Sequence, residues 1–284
     1  MNRGDNMSNL IEGKELSANI KADIKNSVKG CMIKPCLAVI QVGEDEASNI
    51  YIKAKEHACN EAGIYFKHLK YDVNVLEKEL INKIIELNND EYVNGIIVQL
   101  PLPGNLNTQR IINHITSSKD VDGLNDINTG KLVNDRDGMV PCTAQGIIEL
   151  LKSYEVEIEG ANVVIVGRGK LVGKPLISLF LRNNATVTVC HSKTKDLRSF
   201  TSNADILVVA TGSKHLIGRD DVKEGAVVID VGVTREDGKI YGDVDIDAVK
   251  SKVSLITPPV GGVGPMTVAM LLKNVIKNHE KSNK

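Results

Sequence analysis

Three side chains in this sequence are of types that could do chemistry, and their spacing could bring them together. Tyr51 and Lys55 lie four residues apart, and Gln99 interrupts the apolar run GIIVQLPLP (Gly95 to Pro103). Residues four apart share one face of a helix, so a ring and an amine can be offered together, while Lys53 points elsewhere. An amine can carry a proton, an aromatic ring can stack on a planar ligand, and an amide can hold either in place. On an arbitrary helix such a pair is a surface lysine beside a half-buried tyrosine. A further carboxylate comes from KDVDGLN, where Asp120 and Asp122 precede Gly123. That segment is either a polar turn or an acid presented to the polar edge of a ligand.

The elements around these residues decide between those readings. A short β-branched run that stops at prolines reads as a buried strand of a parallel sheet. In open α/β sheets, ligands gather at the carboxyl ends of such strands, where Gln99 falls. Upstream, residues Lys14 to Val28 carry helical spacing through Leu16, Ile20, Ile24 and Val28. CLAVIQV (Cys36 to Val42) is a first strand ending at Gly43. Asp45 can then cap a helix over Glu46 to Ala62, and Gly63 stops it. The first turns of that helix sit at a strand's carboxyl end, which favours a functional role for Tyr51 and Lys55. YFKHLKYD reads as a second strand, and Val75 to Asn88 as a helix with Leu76, Leu80, Ile84 and Ile85 inward. The order β-α-β-α-β implies a parallel, doubly wound layer. A helix with Ile111, Ile112 and Ile115 follows the prolines.

After MVPC, Thr143 is expected to cap an apolar helix through Ile147, Ile148, Leu150 and Leu151 that leads into a second domain. ANVVIVGRGKLVGKPLISLFLRNNATVTVCHSKT reads as strand, glycine-rich turn, helix and strand, the opening of a Rossmann-like domain. Gly167 and Gly169 allow a turn and the approach of a pyrophosphate to a helix N-terminus. With Gly173 the pattern is GxGxxxG, one residue longer than the usual fingerprint. The next strand ends in Cys190, His191, Ser192 and Lys193, with no acid for a ribose 2′-hydroxyl. A hydroxyl, a lysine and Arg168 in the glycine loop suit a 2′-phosphate, so the expected cofactor is NADP rather than NAD. DILVVATG and AVVIDVGV supply two more strands running into Gly212 and Gly232, with Lys214 to Ile217 a short turn. A helix near Ala248, a last short strand and the stiff loop TPPVGGVGP follow. Pro265 is expected at the first position of a helix carrying Met266, Val268, Leu271, Leu272 and Ile276, which returns to the first domain. The expected organisation is α/β: a catalytic domain of residues 1–145 plus 266–284, a Rossmann-like domain of residues 146–265, and a cleft between them.

Composition narrows the function classes. A formal net charge of -1 gives no footprint for nucleic acid or an anionic membrane. No apolar run approaches the length of a membrane span. The polar start MNRGDNMSN lacks an apolar signal core, so export is not expected, and Met7 offers a second start. The five cysteines (Cys31, Cys36, Cys59, Cys142, Cys190) have no CxxC pair and no zinc-ligand spacing, which suggests reduced thiols in the cytoplasm and no metal site. KNHEKSNK reads as a frayed end.

Taken together, YIKAK (Tyr51 to Lys55), VQLPLP (Val98 to Pro103), KDVDG (Lys119 to Gly123), PCTAQG (Pro141 to Gly146), GRGKLVGKP (Gly167 to Pro175), HSKT (His191 to Thr194) and GGVGPMT (Gly261 to Thr267) resemble the bifunctional methylenetetrahydrofolate dehydrogenase/cyclohydrolase family over nearly the whole chain. The resemblance implies NADP-dependent oxidation of 5,10-methylenetetrahydrofolate to the methenyl form, then hydrolysis to 10-formyltetrahydrofolate. It implies catalytic roles for Lys55, Gln99, Tyr51 and Asp122. Lys55 would move protons, Gln99 would hold it, Tyr51 would stack on the aminobenzoate ring, and Asp122 would bind the pterin. Leu100, Pro101, Gly262, Val263 and Pro265 would line the folate pocket. Thr143, Val172, Thr211, Gly212, Asp230, Gly232 and Val233 would join Gly167, Arg168, Gly169, Gly173, His191, Ser192 and Lys193 around NADP. A homodimer is implied too. Three positions depart from the family pattern: Gly169 replaces a serine, Ala144 a proline, and Pro259–Val260 a Val-Pro order. A two-domain NADP-dependent dehydrogenase of the shikimate type would also use Lys and Asp, but would not explain Tyr51, Lys55 and VQLPLP together. A non-catalytic NADP sensor would need no Lys–Gln pair.

Overall fold

The computed structural model describes residues 9–282, so Met7 and all of the polar start but Asn9 lie outside the described residues. Two compact units divide it. The first holds residues Ser17–Cys142 and the C-terminal residues from Thr267. The second holds Thr143–Met266 together with the described residues up to Leu16.

The first unit is built on a three-stranded parallel sheet of order β2-β1-β3. β1 (Cys36–Val42) is buried along its whole length, which is why it is apolar almost throughout. β2 (Tyr65–Tyr71) is an edge strand with alternating exposure, and β3 is the four-residue Gly95–Val98. Helices α1 (Gly13–Lys29), α2 (Glu46–Ala62) and α3 (Glu77–Asn89) accompany it. On α3 the buried stripe is Leu80, Ile84 and Leu87. Leu76 and Ile85, expected inward, are 71% and 45% exposed. Leu76 precedes the helix, and Ile85 is rotated about 100° from Ile84, off the stripe. Short helices α4 (Thr108–Ile112) and α5 (Asp126–Val133) follow. The second of these was not legible, because DINTGKLV buries only Asn128 and Leu132.

The second unit has five parallel strands in the order β10-β7-β6-β4-β5: β4 (Asn162–Val166), β5 (Thr186–Cys190), β6 (Ile206–Val209), β7 (Val227–Asp230) and β10 (Leu255–Ile256). It includes helices α7 (Gly173–Arg182), α8 (Leu197–Thr201) and α9 (Ile246–Val249). A hairpin of β8 (Thr234–Glu236) and β9 (Lys239–Tyr241) was missed, although Asp237 and Gly238, both at positive φ, are a hairpin turn pair. The described residues up to Leu16 fall in this unit. Ile11 N donates to Ile256 O at 2.7 Å, and Gly13 N to Gly261 O at 2.8 Å.

Three helices contribute to both units, α1 and the two that follow. α6 (Cys142–Ser153) begins one residue early, so Thr143 is helical and is not the cap. α10 (Val263–Ser282) places Pro265 third, where its missing N–H still belongs to the free first turn. The expected frayed end is corrected as well: α10 continues to Ser282, while Asn283 and Lys284 lie outside the described residues. Asn278 and His279 are buried, Asn278 Nδ2 donates to Asn94 O at 2.8 Å, and Lys277 and Lys281 both reach Asp137.

Candidate active site

The local structure around Lys55 begins with the Asp45 cap, whose carboxylate accepts from Ser48 N at 2.7 Å. This starts α2 directly after the carboxyl end of β1. A second tie is Gln41, 1% exposed, whose amide donates to Asn49 Oδ1 at 2.7 Å and whose oxygen meets His68 Nε2 at 2.9 Å. It locks the first turn of α2 to β1 and β2. The signal for it was present: a polar residue inside CLAVIQV, as Gln99 is inside GIIVQLPLP.

Two turns along α2, Lys55 Nζ donates to Gln99 Oε1 at 2.9 Å. Gln99 is 9% exposed and is fixed from both ends. Its backbone N–H donates to Ile40 O at 2.8 Å, and its Nε2 donates to Leu100 O at 2.9 Å. Lys55 is half-buried and Tyr51 is exposed on the same helix. Leu100 is half-buried, Pro101 is exposed, and Leu100 O also accepts from Ser48 Oγ at 3.4 Å. The helix amine and the strand-end amide are thus brought together at the sheet edge, with Tyr51 exposed one turn earlier on the same helix.

Asp122 is half-buried, while its neighbour Asp120 is buried and spent on structure. Asp120 accepts from Leu124 N, Asn125 N and Asn128 Nδ2, and burial raises its pKa. Gly123 has φ +70, and a Cβ there would lie 2.7 Å from Pro141 N, so the Asp122 loop is pressed against the strand of chain that leads to Cys142. Cys142 is buried, and burial first, then the adjacent Asp122 carboxylate, pushes its thiol well above the usual range. Lys55 acts on the same thiol in the opposite direction, which places Cys142 within electrostatic reach of both candidate residues. Asn274 of α10 donates to Val121 O at 2.8 Å and to Val140 O at 3.3 Å. Cys142 and Asn274 were not anticipated as neighbours of the site, because only the folded chain brings positions 121, 142 and 274 together.

In the second unit the glycine loop follows β4. Gly167 has φ +123, and a Cβ on it would lie 2.3 Å from Ala210 O; one on Gly173 would lie 2.1 Å from Gly167 O. These two glycines are required by packing, whereas a Cβ on Gly169 meets nothing within 4 Å. The tight crossing leaves the N-terminus of α7 beside an open loop, a place suited to phosphate. Arg168, Gly169, Ser192 and Lys193 are exposed there, and His191 and Val172 half-buried. His191 is partly engaged in its own turn, where Nδ1 accepts from Lys193 N at 3.2 Å. Thr143 is half-buried on α6. At the ends of β6 and β7, Thr211, Gly212 and Val233 are exposed and Gly232 is buried. Asp230 does not present its carboxylate outward: it is 4% exposed and accepts from the N–H groups of Gly232, Asp243 and Val244. Burial raises its pKa to about 6. Gly262, Val263 and Pro265, expected to line the folate pocket, belong to this second unit, with Gly262 and Val263 buried and Val260 exposed.

Comparisons with known proteins match two successive models of one family to the chain. The family model described as tetrahydrofolate dehydrogenase/cyclohydrolase, catalytic domain, matches residues 11–122. The model described as the NAD(P)-binding domain of the same family matches residues 141–283. The bifunctional protein FolD of Campylobacter hominis is 50% identical over 95% of this chain and 96% of its own length. The crystal structure of the bifunctional FolD methylenetetrahydrofolate dehydrogenase/cyclohydrolase from Campylobacter jejuni is 47% identical, covers 96% of this chain and 98% of that one, and has a TM-score of 0.94. The Trypanosoma brucei FolD enzyme, solved with NADP cofactor and an inhibitor, is 34% identical, covers 97% and 98%, and has a TM-score of 0.92. Shikimate dehydrogenase from Aquifex aeolicus, at 16% identity and a TM-score of 0.54, shares the fold alone. With both domain models matched and a relative 50% identical over 95% of this chain, the chain belongs to the tetrahydrofolate dehydrogenase/cyclohydrolase family.

Proposed function

We propose that this chain catalyses two successive steps: NADP-dependent oxidation of 5,10-methylenetetrahydrofolate to 5,10-methenyltetrahydrofolate, and hydrolysis of that product to 10-formyltetrahydrofolate. The observation that carries the reading is the Lys55–Gln99 hydrogen bond at the carboxyl edge of the sheet, in a chain matched by both domains of the family.

The residues fit a dinucleotide. Gly167 and Gly173 form a cradle that a Cβ would fill, and Arg168, Ser192 and Lys193 are exposed around it to hold a 2′-phosphate. Bound NADP supplies the hydride acceptor. The chain's own part in oxidation is to orient the folate methylene, with Tyr51 stacking on the aminobenzoate ring and Asp122 accepting from the pterin's donor edge. In hydrolysis, water adds to the methenyl carbon and gives up both its protons as its oxygen becomes the formyl oxygen; the carbon–nitrogen bond on the N5 side breaks, N5 takes one of these protons and the other is released to solvent. Lys55 relays these protons. Gln99, itself fixed at both ends, accepts from Nζ and holds the amine in line. The family resemblance gives Leu100, Pro101, Gly262, Val263 and Pro265 as the residues that line the folate pocket.

Incubating the protein with 5,10-methylenetetrahydrofolate and either NADP+ or NAD+ tests the reading. Transient methenyl absorbance, faster with NADP+, is expected; no methenyl formation with either nucleotide would overturn it. We propose also that the protein works as a homodimer in the cytoplasm. The family resemblance supports the dimer, and five free cysteines suit a reducing compartment. Sedimentation at a monomer mass would count against the dimer, and fractionation of cells tests the location. Among the described residues no helix is long and apolar enough to cross a membrane.

A further inference from the structure

The turn Thr211–Gly212 follows β6 at the carboxyl edge of the five-stranded sheet, and one buried acid holds it. Asp243 has no exposed surface. Its Oδ2 accepts from Thr211 N at 2.6 Å, Thr211 Oγ1 at 2.9 Å and Gly212 N at 3.0 Å. Three donors on a single anionic oxygen make a strong, charge-assisted anchor. The other oxygen, Oδ1, is buried without a hydrogen-bond partner. It faces Gly232, where a Cβ would lie 2.0 Å away. The backbone N–H groups of Asp243 and Gly232 both donate to Asp230 Oδ1, each at 3.0 Å. One short segment, Gly242 to Val244, therefore fixes the turns that leave both β6 and β7.

A buried carboxylate with one oxygen unmatched is not the most stable way to hold a turn, so its presence asks for a purpose. The two turns it joins are those expected to meet the dinucleotide. The N–H groups of Thr211 and Gly212 are taken by Asp243, so the turn meets a ligand with its remaining atoms in a fixed attitude. We propose that Asp243 is a positioning residue for the dinucleotide, setting the Thr211–Gly212 turn in register with the Gly232 turn. The proposal rests on the NADP reading above.

Asp243→Asn keeps the size of the side chain and removes the charge that gathers the three donors. NADP+ affinity, measured by titration calorimetry, is expected to weaken about tenfold, the scale of a lost charge-assisted hydrogen-bond anchor. Thr211→Val removes one of the three bonds and is expected to weaken NADP+ about threefold, with little further loss when combined with Asp243→Asn, because coupled partners are not additive. In Asp243→Asn the loss falls on NADP+ affinity, while methenyltetrahydrofolate hydrolysis without nucleotide, whose proton carrier Lys55 and its partner Gln99 lie in the first unit, changes less than about twofold, below the ~1 kcal/mol of a typical lost interaction. Unchanged NADP+ affinity in Asp243→Asn would overturn the proposal. So would parallel loss of hydrolysis and affinity with a lowered melting temperature, the mark of a purely structural acid. If Asp243→Asn yields no folded protein, Thr211→Val decides alone: weakened NADP+ binding supports the proposal and unchanged binding overturns it. Failure of the unaltered protein to bind NADP+ would instead sink the cofactor reading itself.

Discussion

At the scale of single residues, Lys55 is held by Gln99 Oε1 at 2.9 Å, and that bond makes separable claims. Lys55→Met is expected to lower methenyl hydrolysis by ~10²–10⁴, the usual worth of a positioned proton carrier, and to reduce oxidation severely as well. Full hydrolytic turnover in that variant would remove Lys55 from the mechanism. Gln99→Leu keeps the volume and removes the acceptor, so hydrolysis is expected to fall while NADP+ affinity stays as it was; equal losses of both would show a collapsed sheet edge instead. Arg168→Ala is expected to weaken NADP+ about tenfold more than NAD+, the scale of one lost phosphate pairing, as read by the two dissociation constants. Tyr51, Lys55 and Gln99 were legible because each is a polar or aromatic residue at a place that periodicity reserves for something else. Asp243, Cys142 and Asn274 were not, because their meaning lies in partners far along the chain: Asp243 at Thr211, Asn274 at Val121.

Among the elements, the order of strands and helices could be read because strong apolar periods alternate with caps. α2 was legible to the residue, since Asp45 and Gly63 act as cap and stop in the structure as in the sequence. Strand lengths were overestimated: DILVVATG yields only Ile206–Val209, as the chain leaves the sheet before its glycine. α10 was cut short on paper, because KNHEKS is polar in composition even though Asn278 and His279 are buried. The glycine loop shows why spacing alone misleads. Gly169 occupies the fingerprint position, yet Gly167 and Gly173 are the ones without room for a side chain. Gly173→Ala is therefore expected to lower stability by ~1–3 kcal/mol, the cost of overpacking or local strain, and to weaken NADP+ binding. Gly169→Ser, which restores the family residue in open space, is expected to leave the melting temperature within a degree or two, a change under ~0.5 kcal/mol as for most surface substitutions.

For the molecule as a whole, its buried acids set a pH dependence. The folded protein keeps the Asp230 proton up to a pKa of about 6, against an ordinary 3.8. Folding thus binds a proton across that window, and the contribution of this group to stability falls as pH rises from about 4 to about 6. Asp230→Asn is expected to flatten that part of the profile in chemical denaturation at successive pH values, at the risk of loosening the Gly232 turn. Asp137 works in the other direction: Lys277 and Lys281 hold its pKa at about 2, so it stabilises down to strongly acid pH, though weakly and less in salt because the pairs are exposed. The same two lysines belong to α10, which also supplies Asn274 to the Asp122 loop and Asn278 to the start of β3. That has a consequence for how the chain is made. As the polypeptide leaves the ribosome, most of the first unit emerges before the second, but the helix that completes it follows the whole of the second. The nucleotide-binding unit can close while synthesis continues, whereas the loop that holds Asp122 must wait until α10 has been made. The unit that carries Lys55 and Asp122 is therefore begun before the nucleotide-binding unit and completed after it.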